Sequence, residues 1–262
     1  MADPKTWFNN GAVYEEAMGR WSKLVGESFL TWLAPQPGLS WIDAGCGNGA
    51  FTALLMQRCA PAEIHGIDPS EAQLAFARGR TDAPGAIFHN GDAMALPFAD
   101  NRFDAAAMAL AISFVPEPAR GVAEMVRVVR PGGTVAAYMW DGTRGGSPFH
   151  PIQAEMREQG IILTTPPSAE ASRIEALYAL WTGAGLEAVD TKEITVQRTF
   201  ADFAAFWSLS TQMGNIQPVL AAMSPAEVEK LKERVQRRLP ADAEGRLAYA
   251  ARANAVRGRV PG

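Results

Sequence analysis

The sequence predicts an α/β protein built on one doubly wound, mostly parallel sheet, and three observations carry that expectation. Short apolar runs alternate with helix-length amphipathic runs for most of the chain, as when strands are joined through helices on both faces of a sheet. The turn "DAGCGNG" after the first apolar run sets glycines at alternate positions where a helix is about to begin. Asp43, Asp68 and Asp92 fall at or just past successive strand ends, the edge where open parallel sheets bind ligands.

The elements follow in order. "SWIDAG" is the first strand, and its helix begins near Gly49 and runs through "FTALLMQRC". "AEIHGID" is the second strand, after which Ser70 and Gln73 read as a capping box opening a helix through Arg78. "AIFHNGD" is the third strand, and "RFDAAAMALAIS" is apolar enough to be a fourth in the sheet centre. A helix from about Pro118 to Val129 is expected to stop at "RPGG", because Pro131 cannot continue it and Gly132 accepts the turn. "GTVAAYMW" is the fifth strand. A helix over about 168–182 ends at Gly183 and Gly185, and "LEAVDTKEITVQ" then alternates like a strand. Two helical segments follow: "TFADFAAFW", with Thr199 and Asp202 as capping box, and "SPAEVEKLKERVQRRL", with Ser224, Pro225 and Glu227. The last strand, "RLAYAARANAVRG", arrives only after them. These helices therefore form an insertion between two antiparallel strands and are expected to lie on one end of the sheet as a lid.

A chain of 262 residues, 48% of them hydrophobic, suffices for one large core. The expected organisation is a single domain over 1–262, with N-terminal helices over 1–38, a core over 39–198, the lid over 199–242 and the final strand over 243–262. A formal net charge of −4 leaves little positive potential for tracking a phosphate backbone, so nucleic acid is not the expected partner. The N-terminal "MADPKTWFNN" has neither a basic n-region nor an apolar h-region, and the longest apolar run, Ala105 to Val115, falls far short of about 20 residues. The expectation is an unexported, cytoplasmic protein with no membrane span. Cys46 and Cys59 lack further cysteine neighbours, which indicates neither a disulfide framework nor a cysteine zinc site.

A glycine turn between strand and helix lets backbone approach a ligand, and the helix start supplies unpaired N–H groups. Written as Gly45-x-Gly47-x-x-Ala50, the turn also satisfies the dinucleotide fingerprint. Asp43 separates the two ligands: a carboxylate before the first glycine repels a pyrophosphate and suits an ammonium group. S-adenosylmethionine carries one.

With those residues in place, the sequence is similar to the class I S-adenosylmethionine-dependent methyltransferases, and within them to the small-molecule group that includes the ubiquinone and menaquinone methyltransferases (methyltransferase types 11 and 25). The resemblance runs from about Leu39 to Tyr138. It implies a Rossmann-like seven-stranded sheet of order 3-2-1-4-5-7-6 with the last strand antiparallel, and S-adenosyl-L-methionine as cofactor with S-adenosyl-L-homocysteine as product. "IDAGCGNG" looks like the first motif, in which Asp43 holds the methionine part of the cofactor and the turn Ala44, Gly45, Cys46, Gly47, Asn48 and Gly49 passes beneath it. "GIDPS" looks like the second, with Asp68 on the ribose hydroxyls and Pro69 against the adenine. "GDAMALPF" looks like the third, with Asp92, Ala93 and Met94 around the adenine edge. The end of the fourth strand, Ala109 and Leu110, completes the implied cofactor set, and Arg20 in "YEEAMGRWSKLVGESFLTWL" is implied to pair with the cofactor carboxylate. Two departures matter. Many quinone-type members carry paired histidines where this chain has Ser113 and Phe114, and the Asp-Pro-Pro-Tyr type of motif for amino-group methylation is absent. The aspartate and asparagine cluster of metal-dependent catechol methyltransferases is also missing, so no metal is expected.

The acceptor side is less legible. His150 follows "WDGTRGGSPFH" on the ligand side of the fifth strand and is a candidate general base, with Asp141 competing for the role. His65 and His89 lie in strands and read as structural. Phe200, Phe203, Phe206 and Trp207 recur at helical spacing, which alone indicates a core face. Because that helix belongs to the lid, Phe203, Trp207 and Met213, with Phe114 and Trp140, are expected to wall an apolar acceptor pocket. The run "EVEKLKERVQRR" reads as a solvated helix, and Arg252, Arg257 and Arg259 as surface charges. The leading reading is methyl transfer to a small molecule, aligned by the protein without obligatory proton transfer. One alternative is a non-catalytic S-adenosylmethionine-binding module. A nicotinamide-dependent oxidoreductase is disfavoured by Asp43, by Asp92 and by the lack of a Tyr-x-x-x-Lys pair. The acceptor's identity, the atom methylated and the choice between monomer and homodimer stay open.

Overall fold

The computed structural model describes residues 15–212 and 215–262. Its strands are β1 (Ser40–Ala44), β2 (Glu63–Asp68), β3 (Ile87–Asn90), β4 (Phe103–Ala109), β5 (Val129–Trp140), β6 (Glu187–Phe200) and β7 (Leu247–Arg259). They form one sheet in the order 3-2-1-4-5-7-6, with β7 antiparallel to both β5 and β6. The expected topology is the observed one. Between β1 and β4 the order reverses, so the connections diverge there and leave a crevice at the strand ends.

Why the middle strands can be central is visible in their residues. β4 reads "FDAAAMA", and its small side chains alternate between two apolar layers. Ala105 and Ala107 face a layer with Trp21 and Phe29 of α1 (Arg20–Leu33) and with Tyr138. The Phe29 and Tyr138 rings meet at 4.6 Å between centroids. Ala106 and Met108 face the opposite layer, with Ile42 and Trp181. Trp181, on α6 (Ile174–Gly183), is wholly buried and donates its Nε1–H to the Val135 carbonyl at 2.8 Å. The first crossover helix, α2 (Ala50–Cys59), and α3 (Glu71–Arg78) follow their strands as expected, and the Ser70 side chain accepts from the Gln73 N–H.

Elsewhere the local pattern misled. α4 (Pro118–Val128) ends before Pro131: residues from Val129 are already strand, with a register shift against β4 and Gly132 at φ +76°. Proline and glycine here mark an irregular strand, not a helix stop. The single helix expected over 168–182 is a 3₁₀ turn (Ala169–Ser172) and then α6, broken where Arg173 turns extended. Thr199 remains in β6, and Asp202 alone caps α7 (Phe203–Ser210) by accepting from the Ala205 N–H at 2.7 Å. A helix not foreseen, α5 (His150–Glu158), lies between β5 and α6. The insertion between β6 and β7 continues with α8 (Gln217–Ala222) and α9 (Pro225–Arg238), whose Ser224–Glu227 capping box is formed as expected. Arg234 and Arg238 of α9 converge on the buried Glu155 of α5, which fastens the insertion to that helix. Among the described residues, no helix is long and apolar enough to cross a membrane.

Replacing Trp181 by Phe keeps the apolar packing but deprives the buried Val135 carbonyl of its indole donor. We expect a loss of about 1–3 kcal/mol, read as a lower urea midpoint with an unchanged slope.

Candidate active site

The ligand end of the sheet is organised around Asp43. It belongs to β1, between β2 and β4, and is fully buried. Its Oδ2 accepts from the Thr52 hydroxyl of α2 at 2.7 Å, whereas Oδ1 is buried and has no hydrogen-bond partner among the described residues. Burial first, and the like charge of Asp68 in addition, push the Asp43 carboxyl up from 3.8 to about 7 against the opposing Thr52 bond. The glycine turn that follows fits a ligand held close to backbone. Gly45 has φ +78°, and a Cβ there would lie 2.6 Å from the Ala111 Cβ after β4. Gly47 has φ +52° with open space where a side chain would project. The first position needs glycine for packing against β4, the second for its backbone conformation and the free volume beside it.

Asp68, at the end of β2, holds this turn from the other side. Its Oδ2 accepts from the Gly47 N–H at 2.9 Å and its Oδ1 from the Ser70 N–H at 2.8 Å, while burial raises its pKa despite both bonds. Each carboxylate oxygen retains a second acceptor site, so these bonds orient the group without exhausting it. Asp92 is exposed, and its Oδ1 accepts from the Met94 N–H at 2.8 Å in an Asx turn, with Ala93 buried beside it. Asn48 is buried; its Nδ2 donates to Glu15 Oε2 at 2.9 Å, and Arg80 reaches the same carboxylate at 3.1 Å. The Cys46 thiol is buried and its pKa raised by that burial, which leaves it inert. Pro69 starts the turn into α3, and Ala109 closes β4. The next residue, Leu110, adopts φ +56°, an unusual conformation for a branched side chain. Arg20, by contrast, is exposed and lines a smaller cavity of about 300 Å³ between α1 and α2, beside Lys23 and Arg80. No hydrogen bond or ion pair joins it to Asp43 or Asp68.

A larger cavity of about 460 Å³ opens where Leu110 leaves β4. Phe114, Met139 and Trp140 form apolar walls, so two of the five residues expected around an acceptor, Phe114 and Trp140, line this cavity. Phe203 and Trp207 are not on these walls. They pack in the lid core, with Phe203 6.1 Å from both the Phe206 and Trp207 ring centroids. Met213 lies outside the described residues.

Both base candidates are placed elsewhere. Asp141 is buried in an ion pair, with Oδ2 2.6 Å from Arg252 Nη2, and its backbone N–H donates to the Arg252 carbonyl. Arg252 is therefore a structural partner and not a mere surface charge; Arg257 likewise pairs with Asp190 and lies over the Trp32 ring. His150 begins α5 with its ring against Gly145, and burial first, then Arg157 and Arg238, lower its pKa. Neither residue borders the larger cavity. His65 and His89 are structural, joined to each other at 2.7 Å with His65 also on Glu63 at 2.8 Å. Instead α5 and the segment before α6 contribute Gln153, Arg157, Glu170 and Ser172 to the walls, and the lid contributes Asn215. Of these, α5 had a readable signal: Pro151 in a first turn and Ile152 and Met156 four apart. Among the described residues, no His, Cys, Asp and Glu group could hold a metal ion.

This arrangement of sheet, acidic strand ends and glycine turn resembles that of the class I S-adenosylmethionine-dependent methyltransferases. Residues 42–137 match the family model described as "Methyltransferase domain". The chain is 35% identical over 115 residues to the ubiquinone/menaquinone biosynthesis C-methyltransferase UbiE of Roseobacter denitrificans, covering 42% of this chain and 46% of that protein. Over matched residues it thus spans about half the length of that curated relative. Among solved structures it resembles the YcgJ protein of Bacillus subtilis, with TM-score 0.60, 15% identity and coverage of 91% of this chain and 98% of that one. It also resembles the phosphoethanolamine N-methyltransferase 2 of Haemonchus contortus in complex with phosphomonomethylethanolamine and S-adenosylhomocysteine, with TM-score 0.58, 17% identity and coverage of 96% and 57%. At those identities the structures establish the shared fold.

The Asp43 geometry fixes a pH dependence. A carboxyl whose folded pKa is raised stabilises the fold most fully below its ordinary pKa, near 3.8, and that contribution, roughly 4 kcal/mol, is lost as pH rises through about 7. An ammonium ligand reverses the balance because it needs the ionised form. The affinity for S-adenosylhomocysteine should rise about tenfold between pH 6 and 8, as the ionised fraction of Asp43 rises. Calorimetry on wild type and Asp43→Asn should show this rise only in the wild type. Asp141→Asn, in contrast, should lower the melting temperature and leave that affinity unchanged.

Proposed function

We propose that this chain transfers the methyl group of S-adenosylmethionine to a small, partly apolar acceptor held in the cavity beyond β4 and β5. The observation that carries the reading is the unpartnered, buried Oδ1 of Asp43 behind a turn of positive-φ glycines. That atom lacks a donor, and a ligand ammonium group supplies one. When bound, the cofactor supplies a methyl group already activated on sulfur. Asp43 would hold the amino end, Asp68 the ribose hydroxyls through its remaining acceptor sites, and Asp92 the adenine edge. The turn over 45–49 would lie beneath the cofactor.

The protein's contribution is then alignment and exclusion of water. Leu110 stands between the two regions: it follows β4 at the cofactor side and lines the acceptor cavity. Phe114, Met139 and Trp140 present apolar surface to the acceptor, which suits an aromatic or alicyclic ring. Among the described residues on the walls none is paired as a nucleophile–base couple, and in-line transfer to an acceptor lone pair, in which the new bond to the methyl group forms as the sulfur–methyl bond breaks, requires none; transfer to a ring carbon would in addition release that carbon's proton to solvent. The UbiE relative is described as a C-methyltransferase of quinone biosynthesis, so transfer to carbon of an electron-rich ring belongs in the first acceptor panel.

Methyl transfer is tested by following S-adenosylhomocysteine formation from S-adenosylmethionine over a panel of phenols, quinols, amines and thiols. Turnover that falls at least about 100-fold in Asp68→Ala and Gly47→Val is expected, since a misplaced donor loses near-attack geometry. Tight S-adenosylhomocysteine binding with no turnover across the panel would make the chain a cofactor-binding module. A higher affinity for NADH than for S-adenosylhomocysteine would make it an oxidoreductase.

A further inference from the structure

The acceptor cavity has one wall that the apolar reading does not explain. Gln153 is 9% exposed and lines the cavity, yet among the described residues its side-chain amide has no hydrogen-bond partner. It is absent from the groups sealed away from solvent without partners, so its amide faces the open space it lines. Arg157, four residues on along α5, lines the same cavity toward its mouth. Residues at that spacing lie one above the other on a helix.

Charges around Arg157 leave it uncompensated. Glu155 and Glu158, on the same helix, are taken by Arg234 and Arg238 of the lid. Glu170, the acidic residue lining this cavity, pairs with Arg173 at 3.1 Å. His150 is held toward its neutral form by burial first and by Arg157 and Arg238 next. Among the described residues, Arg157 itself has no ion-pair partner. A guanidinium offers paired donors in a planar fork that matches an oxyanion, and a planar amide one turn deeper offers both a donor and an acceptor.

We propose that the acceptor is a small organic acid: its carboxylate pairs with Arg157 at the cavity mouth, and a carbonyl or hydroxyl nearer the methylated atom bonds the Gln153 amide. The ring or chain between them lies against Phe114 and Trp140. This rests on the methyltransferase reading and specifies its substrate class. The two residues divide the recognition, with Arg157 selecting charge and Gln153 selecting the interior oxygen.

The test uses the full chain saturated with S-adenosylhomocysteine and matched probes: 4-hydroxyphenylacetate, indole-3-acetate and hexanoate, each beside its methyl ester. Dissociation constants come from ligand-observed NMR titration. In at least one pair the acid should bind about tenfold or more tightly than its ester, as a charge-assisted contact gives. Arg157→Gln should abolish that preference, Arg157→Lys should retain part of it, and Gln153→Leu should weaken acid and ester alike with their ratio unchanged. All three variants should keep wild-type melting temperature and S-adenosylhomocysteine affinity. Equal affinities, a preference for esters, no detectable binding of any acid, or a preference that survives Arg157→Gln overturns the proposal. Failure to bind S-adenosylhomocysteine at the outset defeats the methyltransferase reading instead, so the two failures are distinguishable.

Discussion

Asp43 is enclosed at the end of β1 with one oxygen on Thr52 and the other without a donor among the described residues. A carboxylate isolated in this way is costly to ionise, and the neighbourhood is arranged to hold the cost in one atom. β1 is clamped between β2 and β4, so the strand cannot shift to expose the group. Thr52 comes from the first turn of α2, which ties the carboxylate to the helix whose start the glycine turn forms. Asp68 draws the middle of that turn toward β2. Movement of the turn would therefore disturb two strands and a helix together.

The same constraint reaches the acceptor side through β4. Gly45 lets the first turn approach Ala111 to within a distance that no other residue would allow, so the ends of β1 and β4 are fixed against one another. Immediately before Ala111, Leu110 takes a left-handed backbone conformation that costs about 1–2 kcal/mol in an L-residue. Its N–H is held by the Tyr138 carbonyl of β5 at 2.8 Å, which secures the turn. Strain of this kind persists where surrounding structure over-determines it. Here it turns the chain out of the sheet toward the 3₁₀ turn Ile112–Phe114, so Leu110, Ser113 and Phe114 can all line the acceptor cavity.

The glycine turn and the acidic strand ends were legible in the sequence because their determinants are local. A turn needs glycine within a few residues of a strand, a carboxylate at a strand end is adjacent to the strand that carries it, and the strands announce themselves by apolar runs. The strand order is harder, and it came from the resemblance. What failed did so for lack of local signal. Asp141 invited a catalytic role because its partner, Arg252, lies on β7, far along the chain, and nothing near Asp141 shows that its charge is already used. The aromatic run over 200–207 was read as having a core face, and only the packed structure shows that Phe203 lies against both Phe206 and Trp207 and that neither Phe203 nor Trp207 lines the larger cavity. Proline and glycine at 131–132 announced a helix end that had already occurred, because the same residues also serve a bulged strand.

The larger cavity draws its walls from the ends of β4 and β5, from α5, from the segment before α6 and from the insertion between β6 and β7, and no spacing rule links those segments. Its composition nonetheless follows from the fold. Walls contributed by strand ends carry the apolar residues of the sheet core, as with Met139 and Trp140. Walls contributed by α5 belong to an amphipathic helix whose buried stripe, Ile152 and Met156, faces inward. Gln153 lies next to that stripe, at the border where a helix passes from core to solvent, and Arg157 is one turn beyond it. The cavity is consequently apolar where it meets the cofactor side and polar where it meets water. Under the proposed function, an acceptor matched to it would enter with its apolar body toward β4 and keep its charged end at the mouth, so that the polarity gradient of the walls would select which end of the molecule reaches the methyl donor.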